Sequence, residues 1–250
     1  MLIILLTLIT IFFFIIILLT ESIGGYSIIK TLYSEDFLSA LKISLLTSTI
    51  SILISTPPAL LVSYVLARSG GRISMITESL ISIPYSMTPV ALGGLILLFL
   101  TRTWIGRTLD SLFSFVFNIN GIILVQSILA FSTMVTPMRA VFESIDIGYE
   151  EFSRSLGHKW LSTFVNIVLP MARRGILSSI ALGFLKAFSD FGATIMIAGM
   201  IIGRTATLPA TIYVEIGSGN IDIAYALILI LMIISLIINM FIRSIRGEVL

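Results

Sequence analysis

Ile223–Ile242 reads IAYALILILMIISLIINMFI, twenty consecutive residues without a charged side chain. An α-helix of that length rises about 30 Å, the thickness of a bilayer's hydrocarbon core. In lipid the backbone N–H and C=O groups must be satisfied internally, and a helix does this within one segment. The stretch therefore reads as a membrane span, and five segments upstream share its character. Leu2–Leu19 is uncharged. Ile43–Leu66 is interrupted by Pro57 and Pro58, and Leu80–Leu100 carries Pro84, Pro89 and the pair Gly93–Gly94. Gly121–Met138 holds Gln126 and a late Pro137, and Gly175–Gly203 contains two charges, Lys186 and Asp190. Leu2–Leu19 lacks the basic start and small-residue cleavage site of a signal peptide, so a retained helix is expected. The reading is one all-α integral membrane domain, residues 1–250, with about six transmembrane helices.

Composition agrees with that reading. Hydrophobic residues make up 57% of the 250-residue chain and charged residues 11%, against about 25% charged in soluble domains. Mean hydropathy is +1.12. These values exclude a soluble enzyme, a disordered chain and a disulfide scaffold. The absence of cysteine removes Fe–S clusters, thiolate zinc sites and thiol catalysis. A single histidine, His158, cannot supply paired axial ligands to a haem or, alone, a metal site. No metal or cofactor is expected. The net charge of +2 leaves no nucleic-acid footprint.

Six spans put both termini on one side of a cell (inner or plasma) membrane. With the N-terminus inside, inner segments hold nine basic residues: Arg68, Arg72, Arg139, Arg154, Lys159, Arg173, Arg174, Arg243 and Arg246. Outer segments hold five: Lys30, Lys42, Arg102, Arg107 and Arg204. The bias favours an N-in, C-in, multi-pass arrangement. The three outer arginines either steer an anion or a binding protein, or are ordinary loop charge.

The segment between spans four and five, Arg139–Arg174, is 36 residues long, and long loops in compact proteins usually carry function. Within it Tyr149, Phe152 and Leu156 form one stripe at helical spacing, while Glu150, Glu151 and Arg154 occupy other faces. Acidic residues in the first turn suit the helix dipole, and Gly157 is a natural terminator. A helix of about two turns is not stable alone in water, so its stripe must lie on a partner's groove, the rest of the loop or the membrane interface. Interfacial helices are generally longer with a basic polar face. This one is acidic, which favours docking to a partner. His158, just after the terminator, reads as a solvated loop residue beside the same surface.

Glu151, Gly157, Ile167, Leu169 and Pro170 fit the E-A-A-x3-G-x9-I-x-L-P spacing of the loop of ABC importer permeases, and the chain resembles that family here. Phe152 and Ser153 stand where the family has two alanines, which makes the contact bulkier. The resemblance implies a type I importer permease fold and a coupling helix seated in a cleft of the cytoplasmic ATP-binding subunit. The implied contact residues are Tyr149, Glu151, Phe152, Leu156, Gly157, His158, Ile167, Leu169 and Pro170. A second stretch narrows the branch. Ser189-Asp190-Phe191-Gly192-Ala193-Thr194, then Ile197-Ala198-Gly199 and Gly203-Arg204-Thr205-x-Thr207-Leu208-Pro209, is similar to molybdate/tungstate permeases, with Ser-Asp for their Gly-Glu. Sulfate permeases share a related pattern. The likeness spans roughly residues 40–242. It implies alternating access by two permease copies, two ATPase copies and an extracytoplasmic molybdate- or tungstate-binding protein.

Ionisable groups in spans are functional by default. Lys186 and Asp190, at i and i+4, are expected on one helix face, where they neutralise each other or line the pathway and exchange partners. A lone carboxylate repels an oxyanion, so Asp190 is a poor direct ligand. Pro84, Pro89, Gly93 and Gly94 either kink and pack the third span or make it a flexible pore helix offering Ser86 and Thr88 hydroxyls. The pathway candidates are Ser86, Thr88, Pro89, Lys186, Asp190, Phe191, Gly192 and Thr194.

No G-x-x-x-x-G-K-[ST] run occurs in the chain, so ATP hydrolysis belongs on another subunit. A stand-alone secondary transporter is the alternative class. Such folds often pair broken helices in their two halves, and the interruptions here cluster in spans two and three without a mirror in five and six.

Overall fold

The computed structural model describes residues 32–246, and this region is helical. The expected span Leu2–Leu19 lies outside the described residues. Among the described residues four helices are long and apolar enough to cross a membrane, or five spans if one bent pair counts as a single crossing. They correspond to the five other expected segments.

Helix α1, Glu35–Arg68, is capped by Ser34, whose Oγ accepts from Phe37 N at 3.3 Å. Its 34 residues rise about 51 Å, well beyond the hydrocarbon core. Pro57 and Pro58 sit on its exposed side and the helix runs through them. The packed side carries Ser44, Ser48, Ser51, Ser55, Ala59 and Ser63, all buried. Small residues let helix backbones approach closely in lipid. Here they meet α5, Ile119–Glu143, the helix at the centre of the layer. Ser51 Oγ donates to Ile123 O and Ser63 Oγ to Val135 O, each at 3.0 Å. Such interhelical bonds are worth about 0.6 kcal/mol each. Ile122, Val125, Leu129, Met134, Met138 and Phe142 of α5 are fully buried or nearly so.

The third expected span is two helices. Helix α2, Arg72–Ser86, and α3, Pro89–Arg102, meet at 104°. Thr88 is extended (φ −64°, ψ 138°), its Oγ1 accepts from Ala91 N at 3.3 Å, and Pro89 opens the first turn of α3. A capping hydroxyl followed by proline starts a new helix, whereas Pro84 is carried inside α2. Helix α4, Trp104–Phe113, follows and leads into α5.

The loop after α5 is shorter than Arg139–Arg174. Helix α5 persists to Glu143, a short helix α6 spans Gly148–Ser155, and helical structure resumes with α7, Trp160–Thr163. A π-turn, Phe164–Val168, joins α7 to α8, Leu169–Phe188, making one crossing from Trp160 to Phe188. Ile167 thus lies in the π-turn and Leu169 and Pro170 in the first turn of α8, not in a loop. Arg173 and Arg174 mark where the apolar run begins, and the helix projects past it.

The fifth span does not continue to Gly203. Helix α8 stops at Phe188, and α9, Gly192–Ala198, begins after Ser189-Asp190-Phe191. The Asp190 carboxylate takes Thr194 N at 2.9 Å and Thr194 Oγ1 at 2.7 Å through one oxygen, capping the new helix. The expected absence of a second interruption is therefore corrected. The two breaks also meet: a Cβ on Gly93 of α3 would lie 2.7 Å from Ala193 Cα of α9, and one on Gly192 would lie 3.1 Å from Pro89 Cβ. Helix α10, Leu208–Gly217, and α11, Ile221–Arg246, complete the described residues, with Leu208 N donating to Ser44 Oγ of α1 at 2.7 Å.

Candidate coupling helix and translocation cavity

Helix α6 is a two-faced element. Asp146 Oδ1 accepts from Gly148 N at 2.8 Å and shapes its start, and Gly157 ends it at φ +86°, a conformation that suits glycine. Its inward face is polar. Glu150 is completely buried, and its Oε1 accepts from Arg68 Nε at 2.7 Å. Its Oε2 accepts from the Tyr64 hydroxyl in a short contact and from Arg154 Nη2 at 3.3 Å. Arg68 then donates from Nη1 to Phe142 O (3.0 Å) and from Nη2 to Ile145 O (3.2 Å), at the end of α5. The Tyr64 ring packs edge-on against Phe142 and Phe164 and tilts against Trp160. One turn on, Ser153 and Thr163 share a hydroxyl hydrogen bond of 2.9 Å. The network ties α6 to α1, α5 and α7, with the carboxylate multiply hydrogen-bonded.

The outward face is apolar and uncovered among the described residues. Tyr149 is 54% exposed, Phe152 68% and Leu156 64%. Glu151, Gly157 and His158 are exposed beside them. Asp146, Gly148, Tyr149 and Phe152 line a recess of about 320 Å³. The expected stripe is thus present, and the rest of the loop does not cover it. Sequence reasoning missed the role of Glu150, set there only on a face other than the aromatic stripe, together with Tyr64 and Arg68. The only signal for it is the i, i+3 pairing of Glu150 with Ser153 opposite the aromatic stripe.

A cavity of about 580 Å³ opens between α2, α5 and α8. Hydroxyls of Ser82, Tyr85, Ser132, Thr133, Thr136 and Ser189 line it with Leu182, Leu185 and Lys186. Lys186 Nζ sits 5.5 Å from the centroid of the Tyr85 ring. Lys186 is the one pathway candidate on this wall. Ser86 Oγ donates to Ser82 O at 3.0 Å, and Thr88 and Pro89 form the α2–α3 break. Asp190, Phe191, Gly192 and Thr194 form the α8–α9 break, where the Phe191 ring lies 4.9 Å from that of Tyr213. The expected placement of Lys186 and Asp190 on one face of one helix is corrected. The helix ends between them, and Lys186 makes no ion pair within 4.0 Å among the described residues. Asp190 is buried, and its Oδ1 has no hydrogen-bond partner in the described protein.

Residues 59–246 match the family of binding-protein-dependent transport system inner membrane components. The chain belongs to that family. This inner-membrane component is 34% identical to the molybdenum transport system permease protein ModB of Haemophilus influenzae, over 70% of this chain and 78% of that one. It is 30% identical to ModB of Escherichia coli strain K12, over 84% and 94% respectively. Its fold superimposes with a TM-score of 0.75 on a bacterial ABC transporter involved in import of the acidic polysaccharide alginate, at 18% identity, covering 99% of this chain and 96% of that one. The protein is a multi-pass permease subunit of an ABC importer, with the type I permease fold.

Proposed function

We propose that this permease moves a tetrahedral dianionic oxyanion, molybdate or tungstate, into the cell by alternating access. The observation that carries the substrate class is the 34% identity to a molybdenum transport permease over most of both chains. Two copies enclose the pathway in an N-in, C-in orientation. A molybdate- or tungstate-binding protein delivers the anion from outside. Two copies of a cytoplasmic ATP-binding subunit supply hydrolysis, since the chain has no P-loop sequence of its own.

The ATPase seats on the exposed face of α6 through Tyr149, Phe152 and Leu156, with Glu151, Gly157 and His158 at the rim. Ile167, Leu169 and Pro170 pass its motion to the start of α8. The two-faced character of α6 supports this role: a buried ionic anchor holds one side while the aromatic side stays free. Lys186 and the two apposed helix breaks, Ser86–Pro89 and Asp190–Thr194, form the moving part of the pathway.

The test is reconstitution of the permease, ATPase and binding protein in liposomes with ATP inside and labelled anion outside. ATP-dependent uptake of molybdate or tungstate is expected, with sulfate, of the same charge and shape, carried more slowly. Uptake of sulfate in preference to both reassigns the anion. Uptake that proceeds without ATP or ATPase contradicts the importer reading.

A further inference from the structure

We infer that the cavity between α2, α5 and α8 is a binding site for one dianionic tetrahedral oxyanion, and that Lys186 exchanges this anion for Asp190 Oδ1 when the cavity empties. The inference rests on the oxyanion-importer reading and gives that pathway a defined station.

An ammonium within a span is costly unless it is paired or hydrated, yet Lys186 has only the face of Tyr85 as a close described partner. The rest of the wall mixes apolar surface, including Pro137, Leu182 and Leu185, with the hydroxyl-bearing residues Ser82, Tyr85, Ser132, Thr133, Thr136 and Ser189. Ser82, Thr133 and Ser189 now donate to carbonyls of their own chain segments, at Glu78, Leu129 and Lys186. A χ1 rotation turns such a hydroxyl from its backbone acceptor to a ligand. Among the described residues no carboxylate lines the cavity. Lysine and hydroxyl groups are donors to an oxyanion, while carboxylates would repel it. The volume of about 580 Å³ admits a small tetrahedral anion with part of its water shell.

The second observation lies at the adjacent break. Asp190 commits one oxygen to Thr194, and the other, buried beside the Ala193 N–H, makes no hydrogen bond of full geometry to the described protein. Lys186 stands four residues earlier, across the end of α8, within electrostatic reach of that carboxylate. The carboxylate therefore offers the ammonium a second, internal counter-ion. With the anion bound, Lys186 faces the cavity. Once the anion leaves, Lys186 turns to Asp190 and the empty cavity loses its attraction for a returning anion.

The two charges predict opposite effects on binding. The experiment is equilibrium binding of labelled molybdate to the permease–ATPase complex in nanodiscs without binding protein, with sulfate and perchlorate as competitors. K186Q should weaken binding roughly tenfold or more, the scale of one lost charge-assisted hydrogen bond, while K186R largely retains it. D190N keeps an oxygen for Thr194 but removes the competing charge, so it should tighten binding by about threefold or more and slow uptake. Sulfate should compete and perchlorate, a monoanion, should not. K186Q that binds like wild type overturns the proposal, as does D190N that weakens binding. Wild-type complex that imports molybdate from its binding protein yet binds none here overturns the station and leaves the importer reading intact. Failure of uptake itself strikes that reading instead.

Discussion

Arg68 with Glu150 and Lys186 with Asp190 are two acid–base pairs set into the same helical layer, and the fold treats them in opposite ways. The first is closed. Glu150 is fully buried, every oxygen is occupied, and Arg68 spends its remaining donors on the end of α5. The second is open: the residues are as close in sequence as an ion pair on one helix, yet a helix break separates them and Asp190 keeps an unpartnered oxygen. A buried pair satisfied on all sides holds elements rigidly together, whereas one left unsatisfied has more than one arrangement of similar energy. In the proposed mechanism, rigidity suits α6 as the element that transmits a push, and exchange suits a station that holds and releases an anion.

The largest effect comes from breaking the closed pair. Glu150→Ala strands Arg68 against the end of α5 and should cost about 3–5 kcal/mol of stability, measured by denaturant titration in detergent micelles. A double-mutant cycle with Arg68→Ala should return a coupling well above zero. Loss of less than about 1 kcal/mol in both would show that the network is not an anchor. At the open pair, Asp190→Ala removes the cap on α9 and should cost about 1 kcal/mol, with Asp190→Asn largely restoring it. Ser63→Ala, beside Tyr64 on the packed side of α1, should cost about 0.6 kcal/mol through its bond to Val135 O. Lys186→Met should change stability by no more than about 0.5 kcal/mol, because no ion pair is lost. A cost near that of Glu150→Ala would erase the contrast.

How much of this was legible in the sequence depended on the distance over which each feature is encoded. The apolar runs at Ile43–Leu66, Gly121–Met138 and Ile223–Ile242 are local and mark helices correctly. The face of α6 is also local, so Tyr149, Phe152, Leu156 and the stop at Gly157 read directly from spacing. The breaks were harder, because a hydropathy window averages across them. Thr88 followed by Pro89 is a helix-start signal hidden in an uncharged run, and Asp190 with Thr194 is a cap hidden in a Gly-containing one. The same averaging placed the edges of the coupling loop at Arg139 and Arg174, although helices project past the apolar core on both sides. Glu150 was not legible, because its partners Tyr64 and Arg68 lie 86 and 82 residues away. Its i, i+3 spacing to Ser153 is the one local mark that separates it from Glu151, which remains exposed.

The central claim is that the open face of α6 receives the ATPase while its closed face fixes it to the permease. Co-purification with the ATP-binding subunit tests it most directly, comparing wild type with the triple variant Tyr149→Ser, Phe152→Ser, Leu156→Ser in detergent. All three side chains are exposed, so the variant should fold and unfold as wild type does. It should also lose most of the bound ATPase and, with it, ATP-driven uptake. A triple variant that retains the ATPase at wild-type stoichiometry would contradict the account.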